Sequence, residues 1–338
     1  MTSHTSQSST FLLSIIVPLL NASEDISGVF ESLAGQVRVN KKEIEIVIVD
    51  DGSTDDTPQQ IKTNLATLKA FGNVQVITHK ERAGLIMARL NAAKSAKGMF
   101  IAFVDKRTRP NPDYIHYLLA KKRNIVIGDV YMDKQRSPWD RVLTLIRKKL
   151  YYPYFNHPFD DIEIDSDLYK RFKNKGGGGA MLVLRDYYLS VIDKFKKSPN
   201  ANDDSMLINN LLKFEPLLKT ADARTLYINR TGFKENVLHV YNRGPKFVDY
   251  YIKPGTRFFP EIIALVVVLL ASIALFFIQP LVLAYELMAA VALLIFIASY
   301  LSEGLVDFLT CLWVFPVLIL AFVVGILKGL AMKALRRY

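Results

Sequence analysis

The first 130 residues alternate short apolar runs with segments of helical periodicity. The apolar runs that predict strands cover residues 12–17, 43–49, 74–77, 99–104 and 125–131. Four segments between these strands predict helices. Two of them cover residues 26–36 and 85–96, a third follows a cap at Thr54, and a fourth begins at Pro110 and Pro112. This alternation predicts an α/β fold, a Rossmann-like mixed, mostly parallel sheet with helices on both faces.

Polar residues follow the carboxyl ends of three predicted strands, in the segments 18–21, 50–53 and 105–109. Parallel α/β sheets bind ligands beyond the carboxyl ends of their strands, so these segments predict one shared polar site. The first turn lacks the Gly-x-Gly-x-x-Gly pattern, and the sequence has no Gly-Lys-Ser/Thr phosphate loop. A dinucleotide-binding unit and a P-loop are therefore excluded.

Three apolar runs dominate the end of the chain, at 262–278, 281–301 and 305–327. A spanning helix needs about 20 residues, so the second and third runs are long enough and the first is short. Lys and Arg flank the runs on both sides, which favours the cytosolic side for both flanks and an even number of crossings. Hydropathy suggests three crossings. The number stays open between two and three, and Glu286 makes the second run a candidate to be re-entrant or to lie in the interface.

Charge is distributed unevenly over the 338 residues, which carry a net +11 and are 51% hydrophobic. Residues 262–338 contain four basic and three acidic side chains, so a net +10 belongs to the first 261 residues. A basic domain with an apolar tail excludes a free soluble enzyme and a disordered chain, and a single cysteine, Cys311, excludes an intrachain disulfide. No nucleic-acid-binding module accompanies the charge, which favours anionic lipid headgroups as its partner.

The segment 139–152 combines an apolar stripe with basic residues. Trp139, Val142, Leu143, Ile146 and Leu150 share one face of the predicted helix. Two interpretations stay open: the helix packs on the core of its own domain, or it lies on a membrane surface.

Four motifs in order point to a known family. They are Ser14-Ile-Ile-Val-Pro-Leu-Leu-Asn21, Glu45-Ile-Val-Ile-Val-Asp-Asp-Gly-Ser-Thr-Asp-Asp-Thr57, the segment 83–91, and the segment 97–105. Over residues 10–215 the chain resembles the family 2 glycosyltransferases of the GT-A fold. The resemblance implies an inverting transferase that uses a UDP- or GDP-linked sugar.

The resemblance also implies which residues hold the donor. A carboxylate suits a ribose diol because it accepts hydrogen bonds and donates none. The implied donor-binding residues are Pro18, Leu19, Asn21, Asp50, Asp51, Arg82, Asp105, Lys106 and Arg107.

The chain departs from the family where a divalent metal, Mg²⁺ or Mn²⁺, is expected. The family pattern is Asp-x-Asp, and here the sequence reads Asp105-Lys106-Arg107. A guanidinium cannot ligate a cation, but Arg and Lys can neutralise a departing diphosphate. Three interpretations follow. Arg107 takes the electrostatic role of the metal, Asp105 alone holds a metal with water and diphosphate, or the site is catalytically inactive.

The second half of the resemblance implies the catalytic and acceptor residues. Asp204, in Ala201-Asn-Asp-Asp-Ser-Met-Leu207, is the implied general base, and Asp203 is the supporting acid. The implied acceptor-binding residues are Gly178, Gly179, Arg243 and His239. Processive relatives carry Gln-x-x-Arg-Trp where this chain has Gly244 after the arginine, which argues against a processive synthase.

These features predict an organisation and a function. The segments are a disordered N-terminus without a signal peptide (1–10), a GT-A catalytic domain (11–235), a juxtamembrane interfacial segment (236–261), a transmembrane region of two or three helices (262–328) and a basic tail (329–338). The expected acceptor is a membrane-presented polyprenyl phosphate or polyprenyl-diphosphate-linked glycan, with the catalytic domain on the cytoplasmic side of a multi-pass membrane protein. The alternatives are a transferase extending an exopolysaccharide or glycolipid, and a non-catalytic scaffold that binds a sugar nucleotide.

Overall fold

The computed structural model describes residues 10–152, 158–171, 178–192, 204–252 and 281–335, together with isolated residues between 259 and 271. The chain divides into two compact units. The first comprises the chain up to Met132 and Tyr151–Ile228, and the second comprises Asp133–Leu150 and the chain from Asn229 onward. The first unit thus ends at Ile228, before the predicted boundary at 235. Of the segment 1–10, only Thr10 lies within the described residues.

Strands and helices alternate along the first unit. The strands are β1 (Phe11–Leu19), β2 (Ile44–Asp50), β3 (Asn73–Thr78), β4 (Gly98–Phe103), β5 (Thr108–Pro110), β6 (Ile125–Tyr131), β7 (Ile162–Ile164), β8 (Met181–Leu184) and β9 (Leu217–Tyr227). The helices, numbered along the whole chain, are α1 (Ile26–Ala34), α2 (Thr57–Asn64), α3 (Leu85–Ser95), α4 (Tyr114–Ala120), α5 (Pro138–Leu150), α6 (Ser166–Arg171), α7 (Arg185–Ile192), α8 (Asp204–Leu211), α9 (Phe233–Tyr241), α10 (Arg243–Tyr251), α11 (Leu281–Leu301) and α12 (Leu305–Ala334). All of these helices except α5 and α9 to α12 belong to the first unit.

One mixed sheet forms the centre of the first unit, with strand order β3-β2-β1-β4-β8-β6-β9-β5 and β7 paired to β9. The three strands that carry the predicted site, β1, β2 and β4, are parallel to one another and to β3. β8 runs antiparallel to both β4 and β6, while β6 and β9 are parallel. The predicted GT-A arrangement of a mixed sheet covered by helices is confirmed.

Two apolar layers hold the sheet between helices. Alternate residues of β1 point to opposite faces, as strand geometry requires. Ile16 packs with residues of α3, α7 and α8 on one face. Ile15 and Val17 pack with residues of α1 and α4 on the other. The carboxyl ends of β1, β2 and β4 are therefore fixed by a core on each side.

Helix α2 begins three residues later than the predicted Thr54 cap. Its first residue is Thr57, whose hydroxyl accepts a hydrogen bond from the Ala22 amide at 2.7 Å. Asp55 accepts hydrogen bonds from the amides of Thr57 at 3.0 Å and Ser23 at 3.2 Å. Its slight burial would raise the pKa of Asp55, but the hydrogen bonds from Thr57 and Ser23 outweigh this and lower it to about 2. The loop after β2 is thereby tied to the loop after β1.

A buried carboxylate joins the amino-terminal ends of four strands, β1 to β4. The Glu45 side chain, in β2, is fully buried and accepts hydrogen bonds from Ser14 Oγ at 2.6 Å, from the Lys97 amide and from Asn73 Nδ2 at 3.4 Å. Ser14 Oγ in turn accepts from the Gly98 amide at 2.8 Å. This network lies at the end of the sheet opposite the predicted site.

We expect Glu45→Ala to lower the free energy of unfolding by about 2–3 kcal/mol, because it leaves buried donors unpaired. Chemical denaturation of the detergent-solubilised chain, followed by circular dichroism, measures the change. Glu43→Ala, at an exposed glutamate two residues earlier, is the matched control and should leave stability nearly unchanged. Equal stability of the two variants would contradict a structural role for the Glu45 carboxylate.

The second unit gathers α5 with the apolar C-terminal helices. Trp139, Val142 and Leu145 of α5 are buried in one cluster with residues of α11 and α12. Neither interpretation of α5 from the sequence predicts that it packs on α11 and α12. Leu150, predicted on the apolar face, is instead 51% exposed, because it is the last residue of the helix and lies beyond the contact.

Helices α11 and α12 are each long and apolar enough to cross a membrane. They match the second and third apolar runs, and α12 continues past the predicted end at 327 to Ala334, so the predicted basic tail is helical over much of its length. The first run, 262–278, falls almost entirely outside the described residues. The predicted juxtamembrane segment contains α10 and most of α9.

Candidate donor site at the ends of the parallel strands

The loops after β1 and β2 are joined by hydrogen bonds from predicted donor-site residues. Asn21, at a φ of 46°, accepts a hydrogen bond from the Thr54 amide at 2.9 Å through Oδ1. Its own amide donates to Ser53 Oγ at 2.9 Å. Pro18 and Leu19 end β1 beside Val49 and Asp50 of β2. The structure thus brings together the predicted residues of the first two strand ends.

Asp50 and Asp51 are both buried and organise the loops around them. Asp50 Oδ1 accepts a hydrogen bond from the Ser53 amide at 3.1 Å. Asp51 Oδ1 accepts from the Ala83 amide and Oδ2 from the Gly84 amide, both at 2.9 Å. Glycine is required at 52, where φ is +71° and a Cβ would lie 2.5 Å from the Glu81 backbone and 2.6 Å from the Arg82 amide. Because Gly52 has no Cβ, the backbone of Arg82 can lie directly against the loop that follows β2.

His79 is a site residue that the sequence analysis missed. Its Nδ1 lies 2.8 Å from Asp51 Oδ1, and its Nε2 lies 2.9 Å from Asn91 Nδ2 on α3. An amide donor at Nε2 places the ring proton on Nδ1, which then donates to the aspartate. The position of His79 in the sequence could have indicated this role. His79 directly follows the carboxyl end of β3, as Asp51 directly follows that of β2.

We expect His79→Ala to raise the KM for the nucleotide donor about tenfold, because the Asp51 carboxylate loses a hydrogen bond that orients it. Steady-state kinetics at varied donor concentration measure this. Asn91→Ala removes the other contact of the ring and should raise the same KM by a smaller factor. A fall in kcat at unchanged donor KM would contradict a role in orienting Asp51.

The Asp105-Lys106-Arg107 segment follows β4 and combines one carboxylate with two cations, and Arg89 of α3 adds a third cation. Asp105 Oδ1 accepts from Arg89 Nη2 at 3.1 Å, and the Arg89 side chain is almost completely buried. Lys106 Nζ donates to the backbone carbonyls of Leu20 and Asn21, at 2.6 Å each. Arg107 is half-buried, and its Nε is buried with no hydrogen-bond partner among the described residues.

These residues do not fit a dedicated divalent metal site. In the described part of the chain, no three His, Cys, Asp or Glu side chains gather closely enough to hold a metal. Asp105 already pairs with Arg89, and a hard divalent cation prefers several oxygen ligands. Arg107 Nε, a buried polar atom without a partner among the described residues, belongs to a guanidinium, which suits an anion.

The glycine turn Gly178–Ala180 packs on Asp105. A Cβ at Gly179 would overlap Asp105 Oδ2, so a larger residue here would displace the Asp105 carboxylate. Helix α8 contacts the same turn and begins at Asp204. The turn therefore connects a predicted acceptor residue, Gly179, to the predicted donor residue Asp105. Asp203 lies outside the described residues.

The other predicted acceptor residues belong to the second unit. His239 lies in α9, and Arg243 is the exposed first residue of α10. Gly178 and Gly179 belong to the first unit. The predicted acceptor set is thus divided between the two units.

The chain is similar in sequence to several proteins that are named as glycosyltransferases. The glycosyltransferase YibD of Escherichia coli (strain K12) is 36% identical over 112 residues, which are 33% of this chain and 30% of that protein. UDP-Glc:alpha-D-GlcNAc-diphosphoundecaprenol beta-1,3-glucosyltransferase WfaP of Escherichia coli is 32% identical over 127 residues, 36% of this chain and 47% of that protein. The chain therefore spans a third to a half of the length of these relatives.

The fold is similar to that of S. aureus TarS. The crystal structure of TarS 1–349 with UDP-GlcNAc matches with a TM-score of 0.52 and 20% identity, over 65% of this chain and 59% of TarS 1–349. The model of the family described as "Glycosyl transferase family 2" matches residues 14–182, which is half of the chain. The matched region contains the ends of β1 to β4 and the glycine turn, and the chain belongs to glycosyl transferase family 2.

Proposed function

We propose that the chain is an inverting glycosyltransferase that moves a sugar from a nucleotide-sugar donor to a lipid-linked acceptor at a membrane surface. The observation that carries the proposal is the cluster of polar residues at the ends of β1, β2 and β4, with Asp50 and Asp51 buried, in a member of this family. Pro18, Leu19, Asn21, Asp50 and Asp51 border the part of the site that receives the nucleotide. The TarS complexes with UDP and UDP-GlcNAc support a uridine nucleotide as the donor class.

Arg107 neutralises the diphosphate in this proposal. Transfer breaks the bond between the anomeric carbon and the diphosphate oxygen, which leaves negative charge on the diphosphate. A guanidinium offers a fork of donors that matches phosphate oxygens. The buried Nε of Arg107 has no partner among the described residues, whereas Lys106 donates to two carbonyls and Arg89 to Asp105. Of the three cations, Arg107 is therefore assigned the contact with the diphosphate.

Asp204 accepts the proton of the attacking hydroxyl or phosphate oxygen. Inversion needs one in-line attack, so the base and the departing diphosphate act on opposite sides of the sugar carbon. Helix α8, which starts at Asp204, contacts the turn that packs on Asp105. This placement supports Asp204 as the base, with Asp203 beside it in sequence as the supporting acid.

The lipid-linked acceptor rests on two observations. Two helices are apolar enough to span a membrane, and the relative WfaP is named for an undecaprenol-diphosphate acceptor. An enzyme held at the headgroup level gains effective concentration for an acceptor in the same plane. We place the first unit on the cytoplasmic side of that membrane, where nucleotide sugars are made.

A non-catalytic scaffold that binds a sugar nucleotide is the second candidate, favoured by the pairing of Asp105 with Arg89. One assay separates the two. The full chain in lipid nanodiscs is incubated with radiolabelled UDP- and GDP-sugars and with polyprenyl phosphates or lipid-diphosphate glycans. Label passing into the lipid phase supports the transferase. Saturable donor binding without transfer or donor hydrolysis supports the scaffold.

A further inference from the structure

The loop between α11 and α12 is held to α5 by ion pairs. Glu303 lies 2.8 Å from Lys134 Nζ and 2.9 Å from Lys148 Nζ. Asp307, in the first turn of α12, lies 2.6 Å from Arg141 Nη1. Hydrogen bonds from Lys134 and Lys148 lower the pKa of Glu303 to about 2, so the contact is ionic at neutral pH.

Chain connectivity decides on which side of a membrane this loop lies. The segment Asp133–Leu150, which contains α5, is preceded by Met132 and followed by Tyr151, and both of these residues belong to the first unit. Basic residues on α5 and in the five residues before it make the ion pairs. The loop at 302–304 must therefore be on the same side of the membrane as the first unit.

The helices α9 and α10 run beside α12, in the same direction. Near the start of α12, Trp139 bridges Phe233 of α9, at 5.8 Å between ring centroids, and Trp313, at 5.5 Å. Near its end, Lys333 Nζ lies 3.2 Å from the Ile252 carbonyl oxygen, just after α10.

The middle of this contact is close-packed. Gly244 of α10 and Gly325 of α12 meet backbone to backbone, and a Cβ on either would overlap the other chain segment. One turn further, a Cβ at Gly329 would lie 2.7 Å from Pro245. The rings of Phe247 and Phe322 lie 5.2 Å apart. Here α10 and α12 are tightly packed partners.

This contact follows α12 over the thickness of a bilayer. From Trp313 to Lys333 an α-helix rises about 30 Å, which equals the hydrocarbon core of a membrane. If α12 crossed, α9 and α10 would cross with it. They are not apolar, and their exposed charged residues would face lipid: Lys234, Glu235, Arg243 and Lys246. Charged side chains facing hydrocarbon are strongly disfavoured.

Helix α12 itself has two different faces. The residues it buries are small or polar for the most part: Asp307, Thr310, Cys311, Val314, Ala321, Gly325 and Gly329. The opposite face exposes large apolar side chains: Leu305, Leu309, Trp313, Ile319, Leu320, Val323, Val324, Leu327 and Leu330. Together, α9, α10 and α12 form a layer with charges on one side and continuous apolar surface on the other, the pattern of an element lying in a membrane interface.

We propose that α12 lies along the membrane surface on the side of the first unit, with its apolar face in the lipid and α9 and α10 on its aqueous side, so that of the described apolar helices only α11 crosses. The inference rests on the proposed membrane association. It agrees with the expectation that the basic residues on both flanks of the apolar region share one side of the membrane. The interfacial segment is then the third apolar run and not the run containing Glu286.

Cysteine labelling in right-side-out and inverted vesicles tests this directly. In a Cys311→Ser background, single cysteines are placed by Gly304→Cys in the loop, Ala334→Cys at the end of α12 and Thr63→Cys on the exposed side of α2. A membrane-impermeant maleimide should label all three from the same side. Labelling of the loop and the end of α12 from opposite sides would show that α12 crosses, and would overturn the proposal. Labelling of the loop and α2 from opposite sides would also overturn it.

Two further measurements test the position of α12 where labelling from the two sides does not give a clear answer. A cysteine that reacts in detergent but from neither side in vesicles lies within the bilayer, which contradicts a surface position. If Cys311→Ser fails to fold, a C-terminal fusion to a fluorescent protein that matures only in the cytosol replaces it. A fluorescent fusion is expected, and a dark one contradicts the proposal. Recovery of the chain in the soluble fraction would defeat the membrane association itself, independently of the arrangement of α12.

Discussion

Arg107→Ala lowers kcat about 10²–10³-fold, the effect of removing a preorganised electrostatic stabiliser from a transition state. The reason is that the departing diphosphate loses the guanidinium that neutralises its charge. Donor binding should weaken less than turnover, because the charge develops only as the bond breaks. Steady-state kinetics with saturating acceptor measure both quantities.

The controls separate a role at the diphosphate from general loss of charge. Arg123→Ala removes an exposed arginine of the same unit that pairs with Glu163, and it should keep full activity. Arg107→Lys keeps the charge without the fork and should retain part of the rate. Arg107→Asp recreates the family's Asp-x-Asp pattern, and any activity it has should require Mn²⁺ or Mg²⁺. Wild-type rates in Arg107→Ala would refute the assignment.

Asp204→Asn lowers turnover about 10²–10⁴-fold, the contribution expected of a general base, while the KM for the donor changes little. Asparagine keeps the size of the side chain but cannot accept the proton of the attacking group. Single-turnover transfer measured with saturating donor isolates this step from product release. Retention of more than about a tenth of wild-type turnover would show that Asp204 is not the base.

A matched control exists for the position of Asp204 at a helix start. Asp167 is an exposed carboxylate in the first turn of α6, and among the described residues its ion pair is with Lys170 in the same helix. Asp167→Asn changes charge and size in the same way at a comparable place. It should leave turnover unchanged, so an equal loss in both variants would indicate destabilised helices and not lost chemistry.

The strand ends could be predicted from sequence because their signal is local. Apolar runs of period two end at Asp50 and Asp105, and parallel strands place such ends at one edge of a sheet. The contacts among those residues could not be predicted. His79 meets Asn91, twelve residues further on, only because β3 and α3 are packed on the same sheet. Lys106 reaches the carbonyls after β1 for the same reason.

The partner of an amphipathic helix is also absent from local sequence. The stripe on α5 indicates an apolar face, but Trp139 and Val142 meet α11 and α12, which lie more than 140 residues later in the chain. The length and hydropathy of α12 are those of a spanning helix. Its packing against the charged helices α9 and α10 is tertiary information, and this packing is the basis of the proposed surface position of α12.

Transfer in the presence of EDTA, followed by assignment of the anomeric configuration of the product, tests the account most directly. The full chain in nanodiscs is stripped of metals, then given an α-linked nucleotide sugar and a lipid-linked acceptor. We expect sugar transfer at the untreated rate with a β-linked product. Activity that is lost with EDTA and restored by Mn²⁺ or Mg²⁺, or a product of retained α configuration, would contradict it.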